Sequence, residues 1–306
     1  MANATTTVRP RLSSGFVPRQ AWAHRLYISP TVLSIVVLGL YPLLFILAAA
    51  FSDSTLGKPF REWVGTENFG VVLADGDIVA SFLRTVLYAL SISIVSVVLG
   101  VVIAVSLDRA TRSGSVVRTL LLLPLITPPV VVGTLWKLVF NPGGGLLDTL
   151  LRGVGVEGAS VAPLSSTFWA LPAIGLADVW QWTPLVTLLV YAALLTQDGA
   201  VREAAALDGA HGFGLFRHIT WPAIAGTVAA VFFVRLVIAL KVFDLVFIMT
   251  SGGPGQASTT TSYVIYQVAL KEFDVGRASA ITLLFAVVVT LVTLPVAALV
   301  RRLSHD

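Results

Sequence analysis

The sequence contains no cysteine, which excludes disulfide bonds, thiol catalysis and cysteine-ligated metal sites. Charge is also scarce, since only 12% of the 306 residues are Asp, Glu, Lys or Arg, whereas about 25% is usual in soluble domains. Hydrophobic residues make up 56% of the chain. This balance places the chain among membrane proteins before any motif is considered.

Several motifs of soluble function are missing as well. No glycine-rich loop ends in Gly-Lys-Ser or Gly-Lys-Thr, so we expect this chain to bind neither ATP nor magnesium itself. The four histidines are scattered without ligand spacing, and no acid–histidine cluster or nucleophile elbow predicts an enzyme. Basic residues form no runs, so no nucleic-acid partner is predicted.

Six apolar stretches are long enough to cross a bilayer, which takes about 20 helical residues. They predict transmembrane helices at residues 26–52, 85–107, 119–140, 168–196, 222–250 and 278–300. Ala48-Ala49-Ala50 looks like the cleavage site of a signal peptide, but the apolar run before it exceeds the roughly 7–15 residues of such a peptide. We therefore expect an all-α integral membrane protein of six transmembrane helices, the first of them uncleaved.

Basic residues are unevenly shared between the two ends of these helices. Eleven lie in the N-terminal tail, the second and fourth connections and the C-terminus: Arg9, Arg11, Arg19, Arg25, Arg109, Arg112, Arg118, Arg202, Arg217, Arg301 and Arg302. The other connections hold six: Lys58, Arg61, Arg84, Arg152, Lys271 and Arg277. Because basic loops stay in the cytoplasm, both termini are predicted to be cytoplasmic, with the protein in the plasma membrane.

This topology divides the chain into four regions. Residues 1–25 form a cytoplasmic tail, 26–52 the first transmembrane helix and 53–80 an extracytoplasmic loop, while 81–302 form the core transmembrane domain with a cytoplasmic loop at 197–221. Pro128-Pro129 favours a kink within the third helix. Such a kink fits a gated pathway, and it fits equally the general frequency of proline in membrane helices.

The connection before the fifth helix has an unusual composition. Alanines favour a short helix over Val201–Leu207. Gly209, Gly212 and Gly214 then permit tight turns. Phe213, Phe216 and Ile219 return the chain to apolar surroundings, and Pro222 opens the next helix, where a missing N–H costs nothing. The pattern predicts a short helix on the cytoplasmic face that another protein can approach closely.

This segment resembles the coupling motif of ABC importer membrane subunits, in which Glu-Ala-Ala is followed at fixed offsets by Gly and by a hydrophobic residue and Pro. The resemblance implies a set of ATPase-coupling residues, with Glu203 and Gly209 as the main contacts: Glu203, Ala204, Ala205, Asp208, Gly209, Ala210, Phe216 and Pro222.

Residues from about 80 to 300 resemble the carbohydrate-uptake branch of these importers, which includes the maltose and glycerol-phosphate permeases. The similarity is carried by Trp136–Pro142, Phe243-Asp244, Met249–Gly255 and Tyr263–Tyr266. It implies the sugar-permease type of ABC importer transmembrane domain, paired with a second homologous permease in a heterodimer. It also implies an ATPase dimer that binds ATP and magnesium, an extracytoplasmic solute-binding lipoprotein and a carbohydrate substrate, all within membrane lipid.

Charges inside the predicted helices are functional candidates, because insertion scales put their cost at about 2.5–3.5 kcal/mol at the bilayer centre. Lys241 and Asp244 are spaced to pair on one helical face, and Asp178 is a candidate partner for Arg235. Such pairs either lock helices together or bind sugar hydroxyls. Deep tryptophans either stack on a sugar or anchor the helix. The predicted substrate pathway comprises Trp180, Trp182, Asp178, Arg235, Phe243 and Asp244.

The function predicted from these features is a permease subunit of an ATP-driven, binding-protein-dependent importer for a sugar or sugar derivative. It would form half of the translocation pathway and would hydrolyse no ATP itself. The alternative is a stand-alone secondary transporter or channel for a small polar solute. Secondary transporters usually contain internal repeats, and the two halves of this sequence show no convincing repeat.

Overall fold

The computed structural model describes residues 20–109, 114–155 and 162–303, and most of these are helical. The chain divides into two units, one up to Ile46 and one from Leu47 onwards. The helices are α1 (Gln20–Ile35), α2 (Tyr41–Ala50), α3 (Glu67–Ala74), α4 (Gly76–Arg109), α5 (Gly114–Ile126), α6 (Pro129–Val139), α7 (Leu146–Gly153), α8 (Ala170–Leu195), α9 (Gly199–Leu207), α10 (Gly212–Leu215), α11 (Trp221–Leu240), α12 (Asp244–Met249), α13 (Thr261–Tyr266) and α14 (Val275–Leu303).

Shorter elements connect these helices. π-helical turns at Val36–Leu40 and Phe216–Thr220 join α1 to α2 and α10 to α11, a third at Gln267–Lys271 follows α13, and a 3-10 turn covers Pro163–Ser165. Strands β1 (Ser52–Asp53) and β2 (Glu62–Trp63) form an antiparallel hairpin with Ser52 opposite Trp63.

Five described helical runs are long and apolar enough to cross a membrane: Leu26–Ala50, Gly76–Asp108, Ala170–Leu195, Gly212–Leu240 and Val275–Arg302. The bent pair Thr119–Ile126 and Pro129–Val139 supplies a sixth crossing when counted as one span. The predicted all-α membrane architecture is thus confirmed, with changed boundaries. Of the tail predicted at 1–25, residues 1–19 lie outside the described part of the chain, and α1 begins at Gln20.

The second span begins at Gly76 rather than at Thr85. Asp75 caps this helix, since its Oδ1 accepts hydrogen bonds from the N–H groups of Asp77 and Ile78 at 3.1 and 3.2 Å. The loop predicted at 53–80 therefore contains the β1–β2 hairpin, α3 and the first turn of α4.

The third span is broken where the two prolines lie. The axes of α5 and α6 differ by 98°, and Pro128 has an extended ψ of 140°. Neither Pro128 nor Pro129 has an N–H to donate, and a residue before proline is kept out of the helical region. The kink favoured by the sequence is therefore a complete interruption.

The fifth span also departs from the prediction. It begins at Gly212 rather than Pro222 and ends at Leu240 rather than near Thr250. Residues 241–243 leave the helical path before α12 begins. The carbonyl of Val242, freed by this break, accepts a hydrogen bond at 3.2 Å from the buried hydroxyl of Thr260. Lys241 and Asp244 are thus not on one helical face, and the described structure contains no ion pair between them.

Helices α4 and α8 pack closely at two glycines. A Cβ on Gly100 would lie 2.5 Å from Val186 Cγ1, and one on Gly175 would lie 3.0 Å from Ile92 Cγ2. A real Cβ atom essentially never approaches another side chain as closely as 2.5 Å. This contact positions the polar face of α8 against α4 and α11.

Candidate functional site: a transmembrane cavity and the Glu203 segment

A buried ion pair and its hydrogen bonds join three spans. Nη2 of Arg235 on α11 lies 2.7 Å from Oδ1 of Asp178 on α8. The hydroxyl of Tyr88 on α4 donates to Oδ2 of Asp178 at 2.8 Å, and Arg235 Nε donates to Ser96 Oγ at 3.3 Å. Arg235 is 0% exposed. The predicted pairing of Asp178 with Arg235 is confirmed, whereas no sequence pattern had pointed to Tyr88.

Beside this pair lies a cavity of about 350 Å³. Its lining combines charged, amide and aromatic side chains: Pro129, Asp178, Gln181, Trp182, Ile238, Lys241, Val242, Phe243, Asp244 and Leu245. Both interrupted spans contribute, one through Pro129 and the other through Lys241–Leu245. Irregular backbone at membrane depth is tolerated where it is buried in protein or lines a cavity, and this geometry meets that condition.

The structure brings together four of the six residues predicted for the substrate pathway, namely Asp178, Trp182, Phe243 and Asp244. Arg235 does not line the cavity, because it is enclosed between the helices. Trp180 does not line it either, because the side chains of Trp180 and Trp182 leave α8 on different faces. Its ring lies 6.2 Å from that of Trp136 and is 40% exposed.

Gln181 is a cavity residue that the sequence analysis missed. Its Nε2 donates at 3.0 Å to the carbonyl of Thr127, at the break of the third span. Its Oε1 is buried and has no hydrogen-bond partner within the described structure. Gln181 follows Asp178 by three residues and so shares its helical face. This spacing is visible in the sequence and would have identified Gln181.

Aromatic rings support the other wall of the cavity. The ring of Phe243 lies 5.6 Å from Phe247 and 5.3 Å from Tyr266, and Tyr263 completes the cluster at 6.4 Å. Offset and edge-to-face contacts of this kind stabilise beyond their buried area. They hold Phe243 in place even though the helix is interrupted next to it.

The Glu203 segment, residues 197–222, contains the short helix that the sequence predicts, over Gly199–Leu207. Gly209 and Gly212 have φ values of +80° and +59°, in the left-handed region that favours glycine. Glu203, Ala204 and Asp208 are exposed. The segment therefore presents a short exposed helix between two sharp turns.

The apolar residues at the end of this helix and after it divide into two groups. Leu207 and Phe213 are 89% and 72% exposed, so Phe213 does not return to apolar surroundings as expected. Phe216 is half-buried and packs against the core beside Trp221, with a ring separation of 6.1 Å. Phe216 thus attaches the segment to the membrane domain, while Leu207 and Phe213 point away from it.

Two further residues of the segment are compared with the prediction. Gly214 lies within α10 and does not break a helix. Pro222 lies in the first turn of α11 as predicted, although the continuous run that contains it begins earlier, at Gly212. The π-helical turn accommodates this proline, because the N–H of Trp221 bonds to the carbonyl of Phe216, five residues earlier.

The remaining members of the segment hold its turn together. The N–H of Ala210 donates to the carbonyl of Ala205 at 2.9 Å, and that of Asp208 donates to Ala204 at 3.1 Å. Ala205 lies on the buried face of this helix.

Among the residues that the structure describes, no group of three or more His, Cys, Asp or Glu side chains is placed to hold a metal ion.

These features define a class of protein: a multi-pass membrane protein with spans interrupted around a cavity lined by charged, amide and aromatic side chains, as in transport proteins. Residues 96–305 match the family model for the inner membrane component of binding-protein-dependent transport systems, and the chain belongs to this family. The resemblance to ABC importer permeases is thus confirmed.

Relatives of similar length support the family. The trehalose/maltose transport system permease protein of Thermococcus litoralis is 30% identical over 91% of this chain and 93% of its own. The sn-glycerol-3-phosphate transport system permease protein of Escherichia coli O157:H7 is 29% identical over 90% and 94%. A solved bacterial ABC transporter that imports the acidic polysaccharide alginate has the same fold, with a TM-score of 0.79 at 22% identity, over 93% of this chain and 96% of that one.

Proposed function

We propose that this chain is one of two permease subunits of an ATP-driven importer for a sugar or sugar derivative. The observation that carries the proposal is the cavity, where Asp178, Gln181, Lys241 and Asp244 meet Trp182 and Phe243. Polar groups that hydrogen-bond hydroxyls, beside aromatic faces that cover ring C–H groups, suit a polyhydroxylated solute. The names of the relatives, which include trehalose, maltose and glycerol-phosphate permeases, support the same substrate class.

We further propose that an ATPase dimer, which binds ATP and magnesium, docks on the Glu203 segment. Exposed Glu203, Asp208 and Leu207 offer both charge and apolar contact to such a partner. The continuous helix Gly212–Leu240 begins within the segment and ends at the cavity. A displacement at the segment would therefore reach the cavity through one rigid element.

The remaining partners follow from the family. In the proposed complex a second homologous permease completes the pathway, and a solute-binding lipoprotein delivers substrate on the side of the β1–β2 hairpin. Support for that partner comes from a solved alginate ABC transporter, whose fold this chain shares at a TM-score of 0.78. That transporter was solved in complex with a periplasmic protein bound to an alginate pentasaccharide. Both termini would lie on the cytoplasmic side.

The proposal is tested by reconstituting the complete complex in proteoliposomes and measuring ATP-dependent uptake of radiolabelled sugars. Glu203→Lys should abolish uptake and substrate-stimulated ATP hydrolysis, because it reverses the charge at the docking helix. Glu67→Lys on α3, which reverses an exposed charge far from the segment in the chain, is the matched control and should leave both unchanged. Normal coupling in Glu203→Lys would contradict the docking assignment.

The cavity is tested in the same vesicles. Asp244→Ala should raise the sugar concentration needed for half-maximal uptake while leaving basal ATP hydrolysis intact, since Asp244 lies on the cavity wall and outside the Glu203 segment. Unchanged uptake kinetics for Asp244→Ala and for Phe243→Ala would remove the cavity from the pathway.

A further inference from the structure

A group of apolar side chains lies exposed on two loops outside the membrane spans. It comprises Leu56, Phe60, Trp63 and Phe273, here called the Trp63 patch, and Trp63 alone is 70% exposed. The rings of Phe60 and Trp63 stack at 6.5 Å with an interplanar angle of 17°. Large apolar side chains exposed together mark an interaction surface.

The patch is assembled from segments far apart in the sequence. Leu56 donates its N–H to the carbonyl of Phe273 at 3.2 Å, and Thr55 forms a β-bridge with Asp274. Trp63 lies opposite Ser52 in the hairpin. The fold therefore brings Phe273 to the hairpin through specific backbone contacts.

Two residues of the patch have strained backbones. Phe60 and Phe273 have φ values of +56° and +61°, in the left-handed region that bulky residues rarely adopt. Such conformations persist where the surrounding structure fixes them, and they cluster at functional sites. Here the N–H of Phe60 donates to Ser54 Oγ at 2.9 Å, which holds the turn.

The base of the patch is attached to helix ends. Asn68 Nδ2 donates at 3.0 Å to the carbonyls of both Ala50 and Ser52. Gly276 donates its N–H to Ser54 at 2.9 Å, and a Cβ at this position would lie 2.5 Å from the Ser52 carbonyl oxygen. The patch is thus held at a fixed height relative to the spans.

That height follows from the chain itself. Ser52 lies two residues beyond the span Leu26–Ala50, and Phe273 lies two residues before the span that starts at Val275. Two extended residues cover about 7 Å. The headgroup layer on each side of the hydrocarbon core is about 5–8 Å thick. Helix ends at the hydrocarbon boundary would therefore place Phe273, and Trp63 opposite Ser52, within this layer.

We propose that the Trp63 patch is a docking surface for the phospholipid interface, where its rings insert at the boundary of headgroups and acyl chains. Trp and other amphipathic rings favour that layer. The apolar surface extends to Leu270, which lies exposed one turn before Phe273. The charges beside it are mixed, with Arg61 paired to Asp53 at 3.3 Å, so zwitterionic lipid suffices and anionic lipid is not required.

The absence of cysteine allows a direct test. Trp63→Cys, Phe273→Cys and Lys58→Cys, each made in the complete complex with cysteine-free partners, are spin-labelled and reconstituted in phosphatidylcholine bilayers. The labels at 63 and 273 should show an oxygen-to-nickel-complex collision ratio several-fold above that at Lys58, an exposed polar residue of the same hairpin. Leu83→Cys, on the exposed face of α4, provides the lipid reference.

Three results would overturn the proposal. One is equal nickel accessibility at 63 and 58, which means that the patch faces water. Another is immobilisation of the label at 63 only when the solute-binding protein is added, which assigns the surface to that protein. The third is quenching of tryptophan fluorescence by brominated lipid to the same extent in Trp63→Phe as in wild type. This measurement keeps an aromatic ring at position 63 and does not depend on the folding of a cysteine variant.

Discussion

At the scale of single residues, the decisive feature is a buried arginine. Arg235 is fully enclosed, and Asp178 and Ser96 accept its hydrogen bonds while Tyr88 satisfies the second oxygen of Asp178. Each of these residues would be unfavourable in the bilayer alone. Together they tie α4, α8 and α11 at one level. Of the two residues in the ion pair, only Asp178 also lines the cavity. The same carboxylate therefore supports the fold and lines the proposed pathway.

Arg235→Met should reduce folding stability by about 3–5 kcal/mol, because Asp178 would remain buried without its counter-charge. The double variant Asp178→Leu/Arg235→Met should recover most of that loss, since neither charge remains. Thermal unfolding of the purified protein in detergent checks both. An Arg235→Met variant as stable as wild type would show that Tyr88 and water compensate for Asp178.

Gln181 is the other residue on which the cavity depends. Gln181→Leu should weaken sugar uptake up to about tenfold, because a neutral hydrogen bond is worth roughly 0.5–1.5 kcal/mol. Gln181→Glu keeps an acceptor in the cavity but loses the donor to Thr127, so it separates substrate contact from support of the broken span. Uptake kinetics in proteoliposomes measure the difference. Identical kinetics in both variants would argue that Gln181 acts only on Thr127.

At the scale of elements, interrupted helices determine the site. The third span breaks at Pro128-Pro129, which local chemistry predicts. The fifth span breaks at Lys241–Phe243, where neither proline nor glycine is present. The carbonyl of Val242 at this break accepts a hydrogen bond from Thr260, a residue distant in the chain. No local pattern contains this information, and for that reason Lys241 and Asp244 were wrongly expected to pair.

The contact of α4 with α8 gives a prediction at this scale. Gly100→Ala should destabilise the protein by about 1–3 kcal/mol, because the new methyl group overlaps Val186. Gly70→Ala, in α3, meets nothing within 4 Å and should be neutral or stabilising by up to about 1 kcal/mol. Thermal unfolding in detergent compares the two. Equal effects would mean that α4 and α8 separate easily at Gly100.

At the scale of the whole molecule, the exposed surfaces lie at opposite ends of the spans. The Glu203 segment follows α8, and the Trp63 patch adjoins the first and last spans. With the bent pair Thr119–Ile126 and Pro129–Val139 counted as one span, the alternation of connections puts the two surfaces at opposite ends. Between them the helix Gly212–Leu240 runs from the segment to the cavity. The two surfaces, for which different partners are proposed, thus belong to one membrane domain.

Leu207→Cys provides a test of this arrangement, because the chain has no cysteine of its own. A maleimide should label position 207 rapidly in the permease pair and much more slowly once the ATPase is bound, since Leu207 is 89% exposed on the proposed docking helix. Val154→Cys, exposed at the opposite end, should label equally in both states. Undiminished labelling of position 207 in the full complex would place the ATPase elsewhere.

Local sequence patterns were enough to predict the membrane class, the Glu203 helix and the pairing of Asp178 with Arg235. These follow from local composition and from the cost of leaving a charge unpaired in the membrane. The tertiary structure alone decided where the fifth span ends, that Trp182 lines the cavity while Trp180 does not, and that Gln181 and Tyr88 belong to the site. Those outcomes depend on contacts between residues distant in the chain, and a helical pattern read along one segment does not contain them.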